Sequence, residues 1–84
     1  MKVNEFEKRV REVEKIRIVV RANESTPVQD YPYSKAADEN WTVTDLLNKR
    51  IYPCLGDYSV EAVKSDGSKP HGGTKLKTLR ESYK

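Results

Sequence analysis

Between residues 14 and 16 the chain changes its hydrophobic period with almost no linker, and that change limits its folding more than any other feature. Upstream, Val3, Phe6, Val10 and Val13 recur three or four apart, which is one face of an α-helix. Downstream, in KIRIVVRA, Ile16, Ile18, Val20 and Ala22 alternate with Arg17, Val19 and Arg21. Period two with β-branched residues predicts a strand with one buried face. The helical stripe is narrow and marginal alone, so the helix must pack on something. Asn4 is its expected cap, with Glu7 at N3 of a capping box. Glu5–Arg9 and Glu7–Arg11 are i,i+4 pairs in the favourable order. Residues 1–14 are thus expected to pack at a sheet edge or to mediate weak self-association, giving a monomer or weak homodimer.

After residue 22 the turn formers of NESTPVQDYPYSKAADEN take over, and Pro27 and Pro32 forbid a regular central strand. A short edge strand fits only near 28–33. Tyr31 and Tyr33 flank Pro32 there, as an aromatic contact surface or as cover for the core edge. WTVTDLLNKRIYPCLG carries the clearest helix: Thr42 caps it, Asp45 stands at N3, and Val43, Leu46, Leu47 and Ile51 form the buried face. Pro53 is expected to end it, since a residue before proline disfavours αR. Gly56 then permits an exit with φ > 0. DYSVEAVKSDG reads as a strand, with Tyr58, Val60 and Ala62 on one face and Asp66-Gly67 as its turn. TKLKTLRESYK predicts a short strand and then a turn of helix.

The candidate chemistry is thin. Cys54 is the only cysteine and His71 the only histidine. One of each does not make a zinc set, and no carboxylate run has the spacing of a calcium loop. Cys54 would need a base as a nucleophile; beside Tyr52 and Leu55 it reads as a packed thiol. SKPHGGTK resembles a phosphate loop only in composition. Its Thr and Lys stand in reversed order, it lacks the first glycine, and no long helix opens from it. It reads as a mobile connection. No catalytic residue, metal or cofactor is therefore expected.

Charge is the remaining signal. Residues 1–63 hold ten Lys and Arg against eleven Asp and Glu, whereas residues 64–84 hold six against two. The net +3 is thus concentrated in the last quarter. Such asymmetry suits an acidic protein partner or nucleic acid, or a merely solvated end. No zinc-finger, helix-turn-helix or RNA-binding aromatic motif appears. With 36% hydrophobic and 35% charged residues the chain is very polar, yet its apolar residues fall in periodic runs that argue for folding. Eighty-four residues make one domain at most. No run of about 18 apolar residues occurs, so no membrane span is expected. MKVNEFEKRVREVEK has no signal-type apolar stretch. A lone cysteine fits a reducing compartment, and the expected location is the cytoplasm.

From Lys15 onward the element order resembles the ubiquitin-like β-grasp superfold. WTVTDLLNKRI looks like its grasped helix, YSVEAVKSDG like the strand after it, and KLKTLRESY is similar to the leucine and tyrosine turn before its last strand. The resemblance implies an α+β domain: a small mixed sheet packed on one central helix over 15–84, with the amphipathic helix 1–14 added. It also implies a binding module, some members using basic residues on the first two strands. With no C-terminal Gly-Gly, conjugation in the manner of ubiquitin is not expected. The expected function is non-enzymatic protein–protein interaction, as an adaptor or small inhibitor that occupies a partner's surface. The alternative is a nucleic-acid-binding regulator using the basic last quarter. Arg17, Arg21, Tyr31, Tyr33, Lys75, Lys77 and Arg80 are the candidate partner-binding residues.

Overall fold

The structure is a computed structural model that describes residues 1–56 and 58–83. Helix α1 (Val3–Glu14) is followed at once by strand β1 (Arg17–Val20). A long irregular segment leads to α2, a helical run over 43–55 built from Val43–Leu46, a wider π turn Leu47–Ile51, and Tyr52–Leu55. Strand β2 (Val60–Val63) and helix α3 (Leu76–Glu81) complete it. The fold is α+β and small. Among the described residues its one sheet has two strands, β1 and β2, antiparallel with Ile18 opposite Ala62 and Val20 opposite Val60. The expected mixed sheet would need a parallel pair, and this ladder has none.

The junction at residue 15 explains how a helix meets a strand without a linker. Lys15 adopts the left-handed conformation, φ 63°, and its N–H closes the last turn on the Arg11 carbonyl. Reversing the chain there lets Val3, Phe6 and Val10 of α1 and Ile18 and Val20 of β1 enter one core with Val60, Ala62, Leu46, Ile51, Leu76 and Leu79. The apolar stripe of α1 is thus consumed inside the chain.

Two local expectations about α1 need correction. Its cap is not Asn4: Lys2 precedes the first turn, and Glu5, not Glu7, accepts the Lys2 N–H at 3.0 Å. The N–H groups of Val3 and Asn4 are taken by the Thr26 and Glu24 carbonyls. Loop backbone does the work that a side chain was expected to do. Of the pairs on α1's surface, the one formed is Arg9 with Glu12 at 3.8 Å.

Helix α2 begins as its sequence requires. Thr42 Oγ1 accepts the Asp45 N–H and Asp45 Oδ2 accepts the Thr42 N–H, both at 3.1 Å. Its other early N–H groups, those of Val43 and Thr44, donate to the Thr74 and Gly72 carbonyls. SKPHGGTK therefore has a structural job: its carbonyls cap a helix. The contact is close, because a Cβ on Gly72 would stand 2.7 Å from Thr44 Oγ1.

Pro53 does not end α2. It lacks an N–H, and its ring would clash with the carbonyl four residues back. The turn before it widens instead: the Tyr52 N–H reaches the Leu47 carbonyl, five residues back. The helix exits at Gly56, φ 71°. No strand forms over 28–33; Pro27 makes only an isolated bridge with Lys2.

Candidate functional site

The residues marked as candidates do not converge. Tyr31 is 4% exposed and Arg80 is drawn inward, so both are corrections: neither side chain is free for a partner. Arg21 is exposed but engaged with Glu61 at 2.8 Å, and Glu61 also holds Lys69. Glu61 is held below the ordinary carboxylate range, first by the Lys69 hydrogen bond; desolvation opposes this, and Arg21 adds to the lowering. Lys75 and Lys77 are exposed at the start of α3, beside Thr42 and Glu39. Arg17 lies near the other end of that helix, where its N–H donates to the Tyr83 hydroxyl at 3.1 Å. Lys75 and Lys77 thus stand apart from Arg17.

What drew Tyr31 and Arg80 inward is Glu14, a carboxylate with no exposed surface. Its Oε2 accepts from the Tyr31 hydroxyl at 2.6 Å and from Arg50 Nη1 at 2.7 Å. Its Oε1 accepts from the Ala37 N–H at 2.8 Å and from Arg80 Nη2 at 3.1 Å. Arg80 Nε also donates to the Glu14 carbonyl at 2.9 Å. Arg50 continues to the Lys35 carbonyl and lies over the Tyr33 ring, 4.2 Å from its centroid. This explains Tyr33: it is half-buried beneath a guanidinium. Burial pushes the Tyr31 hydroxyl's pKa up, the bond to Glu14 pushes it further, and Arg50 pulls the other way.

Every partner of this carboxylate comes from the chain itself, and no buried side-chain polar atom among the described residues lacks one. The cluster ties α1, the 31–37 segment, α2 and α3 together, which is a structural role. It went unpredicted, although a signal exists. Glu14 stands four residues after Val10, on the apolar stripe, and Arg50 stands four after Leu46. A charge on each of two buried stripes is a hint that the two meet.

Another exposed basic surface lies on α1 and β1. Lys8 and Arg11 on α1, Lys15 at the junction and Arg17 on β1 are all exposed, and among the described residues none has a carboxylate partner. They border two adjoining clefts that share Lys8 and Arg11. One, about 310 Å³, runs between α1 and β1 past Ile18; the other, about 430 Å³, runs past Ile16 and Tyr83. Glu7 and Glu12 stand at their rims. Sequence reasoning paired the polar face of α1 within the helix and missed that Lys8, Arg11 and Arg17 border one surface.

Catalytic pairing is not assembled. Cys54 donates toward the Arg50 and Asp30 carbonyls, and burial pushes its thiol pKa up, which disfavours the thiolate. His71 accepts the Gly73 N–H and sits by the first turn of α2. Cys54 is near the other end, roughly 15 Å along the helix at about 1.5 Å per residue. Among the described residues no three His, Cys, Asp or Glu side chains gather as a metal site, and no helix is long and apolar enough to cross a membrane. Comparison of the chain with protein-family models, with curated proteins and with solved structures finds no match.

Proposed function

We propose that this protein is a non-enzymatic binding module, an adaptor or small inhibitor, that docks an acidic partner protein on the face made by Lys8, Arg11, Lys15 and Arg17. One observation carries the reading. These four cations border two joined clefts with no carboxylate partner among the described residues, while Arg50, Arg80 and Arg21 are all used internally. Cations that form no ion pair within the chain can offer their charge to another molecule, speeding encounter and fixing orientation. A β-grasp arrangement of residues 15–84 and a cytoplasmic location belong to the same proposal. Order of elements supports the first: α2 lies in sequence between β1 and β2, as a grasped helix does.

The test is capture from a host extract, with and without nuclease, on the parent and on a Lys8→Glu, Arg11→Glu, Arg17→Glu triple variant. The reading expects a protein that survives nuclease, binds the parent and is lost by the variant. Capture that vanishes with nuclease would instead support the nucleic-acid alternative. Capture unaffected by the triple variant would remove this face from the account.

A further inference from the structure

The cleft between α1 and β1 has a wall of backbone. Which groups line it follows from the parity of the ladder. In an antiparallel pair, residues alternate between facing the neighbouring strand and facing away. The Arg21 N–H donates to the Ser59 carbonyl at 2.8 Å, so residues 17, 19 and 21 face β2. At the ladder's end the Tyr83 hydroxyl sits between the Arg17 N–H and the Val63 carbonyl, which fits the same parity. Ile18 and Val20 must then face away, and for Val20 this is directly visible: its N–H donates to Glu7 Oε2 at 3.0 Å.

The outer edge of β1 is therefore unpaired at Ile18. Ile18 lines the 310 Å³ cleft between Lys8 and Arg11 on one side and Arg17 on the other, and only 4% of the residue is exposed there. An unpaired strand edge is a template for another strand. Glu7 closes the Val20 end, and a carboxylate on an edge also hinders pairing with a second copy of the same edge.

We propose that this edge docks an extended acidic segment of a partner protein, whose backbone exchanges hydrogen bonds with Ile18 and whose carboxylates meet Lys8, Arg11 and Arg17. The proposal rests on the binding function assigned above to the basic face and adds how the partner is held. Successive side chains of an added strand point to opposite faces. Acidic residues on one face would meet Lys8 and Arg11, because α1 packs on the inner face of β1, and those on the other would meet Arg17. The residue beside Glu7 must be uncharged, since two carboxylates there would repel.

The experiment uses the full chain labelled with ¹⁵N and three probes at low ionic strength. The first is an eight-residue peptide of Glu and Val with Glu on both faces of its strand and Val at the position beside Glu7. The second is the same peptide N-methylated at every other residue, which keeps its charge and removes donors along one edge. The third is a short inorganic polyphosphate. Docking along the edge should move the Ile18 amide proton downfield and slow its exchange with solvent. Loss of the strand-edge bonds should weaken the N-methylated peptide about tenfold, the equivalent of one or two net hydrogen bonds. Equal affinity of the two peptides would overturn edge pairing and leave the charged face standing. Tight polyphosphate binding with Ile18 unmoved by either peptide would overturn it in favour of a phosphate ligand. Failure of all three probes would remove both the edge and the basic-face reading.

Discussion

At Glu14 a single carboxylate does the work of several core side chains. A buried charge is costly unless it is paired and fully hydrogen-bonded. Glu14 meets that condition through Tyr31, Ala37, Arg50 and Arg80, and the two arginine side chains are themselves only 15% and 18% exposed. Removing the charge would leave two largely buried guanidiniums facing a neutral amide. Glu14→Gln should therefore cost about 3–5 kcal/mol, as when one partner of a buried pair is lost. That is a large share of the stability of so short a chain. A urea melt checks it, and a loss below about 1 kcal/mol would mean that the cluster relaxes into solvent. Tyr31 gives a second expectation. Its folded pKa is raised above the unfolded value, so its contribution is complete below about pH 10 and is lost as pH rises beyond that. Its ring resonance should stay that of the protonated phenol until the protein unfolds in alkali. A shift near pH 10 with the fold intact would contradict the burial of its hydroxyl.

Elements were legible where one period held, and illegible where the backbone departed from it. The buried faces of α1 and β1, the Thr42–Asp45 capping box and the turn of helix after Lys75 all follow from spacing and capping chemistry. Three features did not. The left-handed Lys15 has no glycine or asparagine to announce it. Backbone carbonyls of residues 24, 26, 72 and 74 cap helices from a distance in sequence. The π turn of α2 breaks the 3.6 period, so Leu46 and Ile51, five apart, are both fully buried while Leu47 is only partly so. This gives a paired prediction. Leu46→Ala should cost about 2–5 kcal/mol, as for other buried leucines. Leu47→Ala, partly exposed already, should cost clearly less. Urea melts of the two variants rank them, and the reverse order would mean that α2 keeps a regular α turn through residues 47–51.

For the molecule as a whole, charge asymmetry along the sequence proved a poor guide to charge on the surface. The last quarter holds six of the sixteen basic residues, yet Arg80 is spent on Glu14 and Lys69 on Glu61. The surface proposed for binding comes mostly from the first seventeen residues, whose carboxylates include Glu14, folded away from it. No count along the chain shows this, because it depends on which charges the fold buries. If the proposed face docks the partner, Lys8, Arg11 and Arg17 govern association and Lys75 and Lys77 do not. The direct measurement is the association rate of the captured partner at two ionic strengths, for the parent, for Lys8→Glu, Arg11→Glu, Arg17→Glu, and for Lys75→Glu, Lys77→Glu. The triple variant should associate about tenfold or more slowly at low salt and lose most of its salt dependence, as expected when charges that steer encounter are reversed. The double variant should stay near the parent. Equal slowing in both variants, or in neither, would contradict docking on this face.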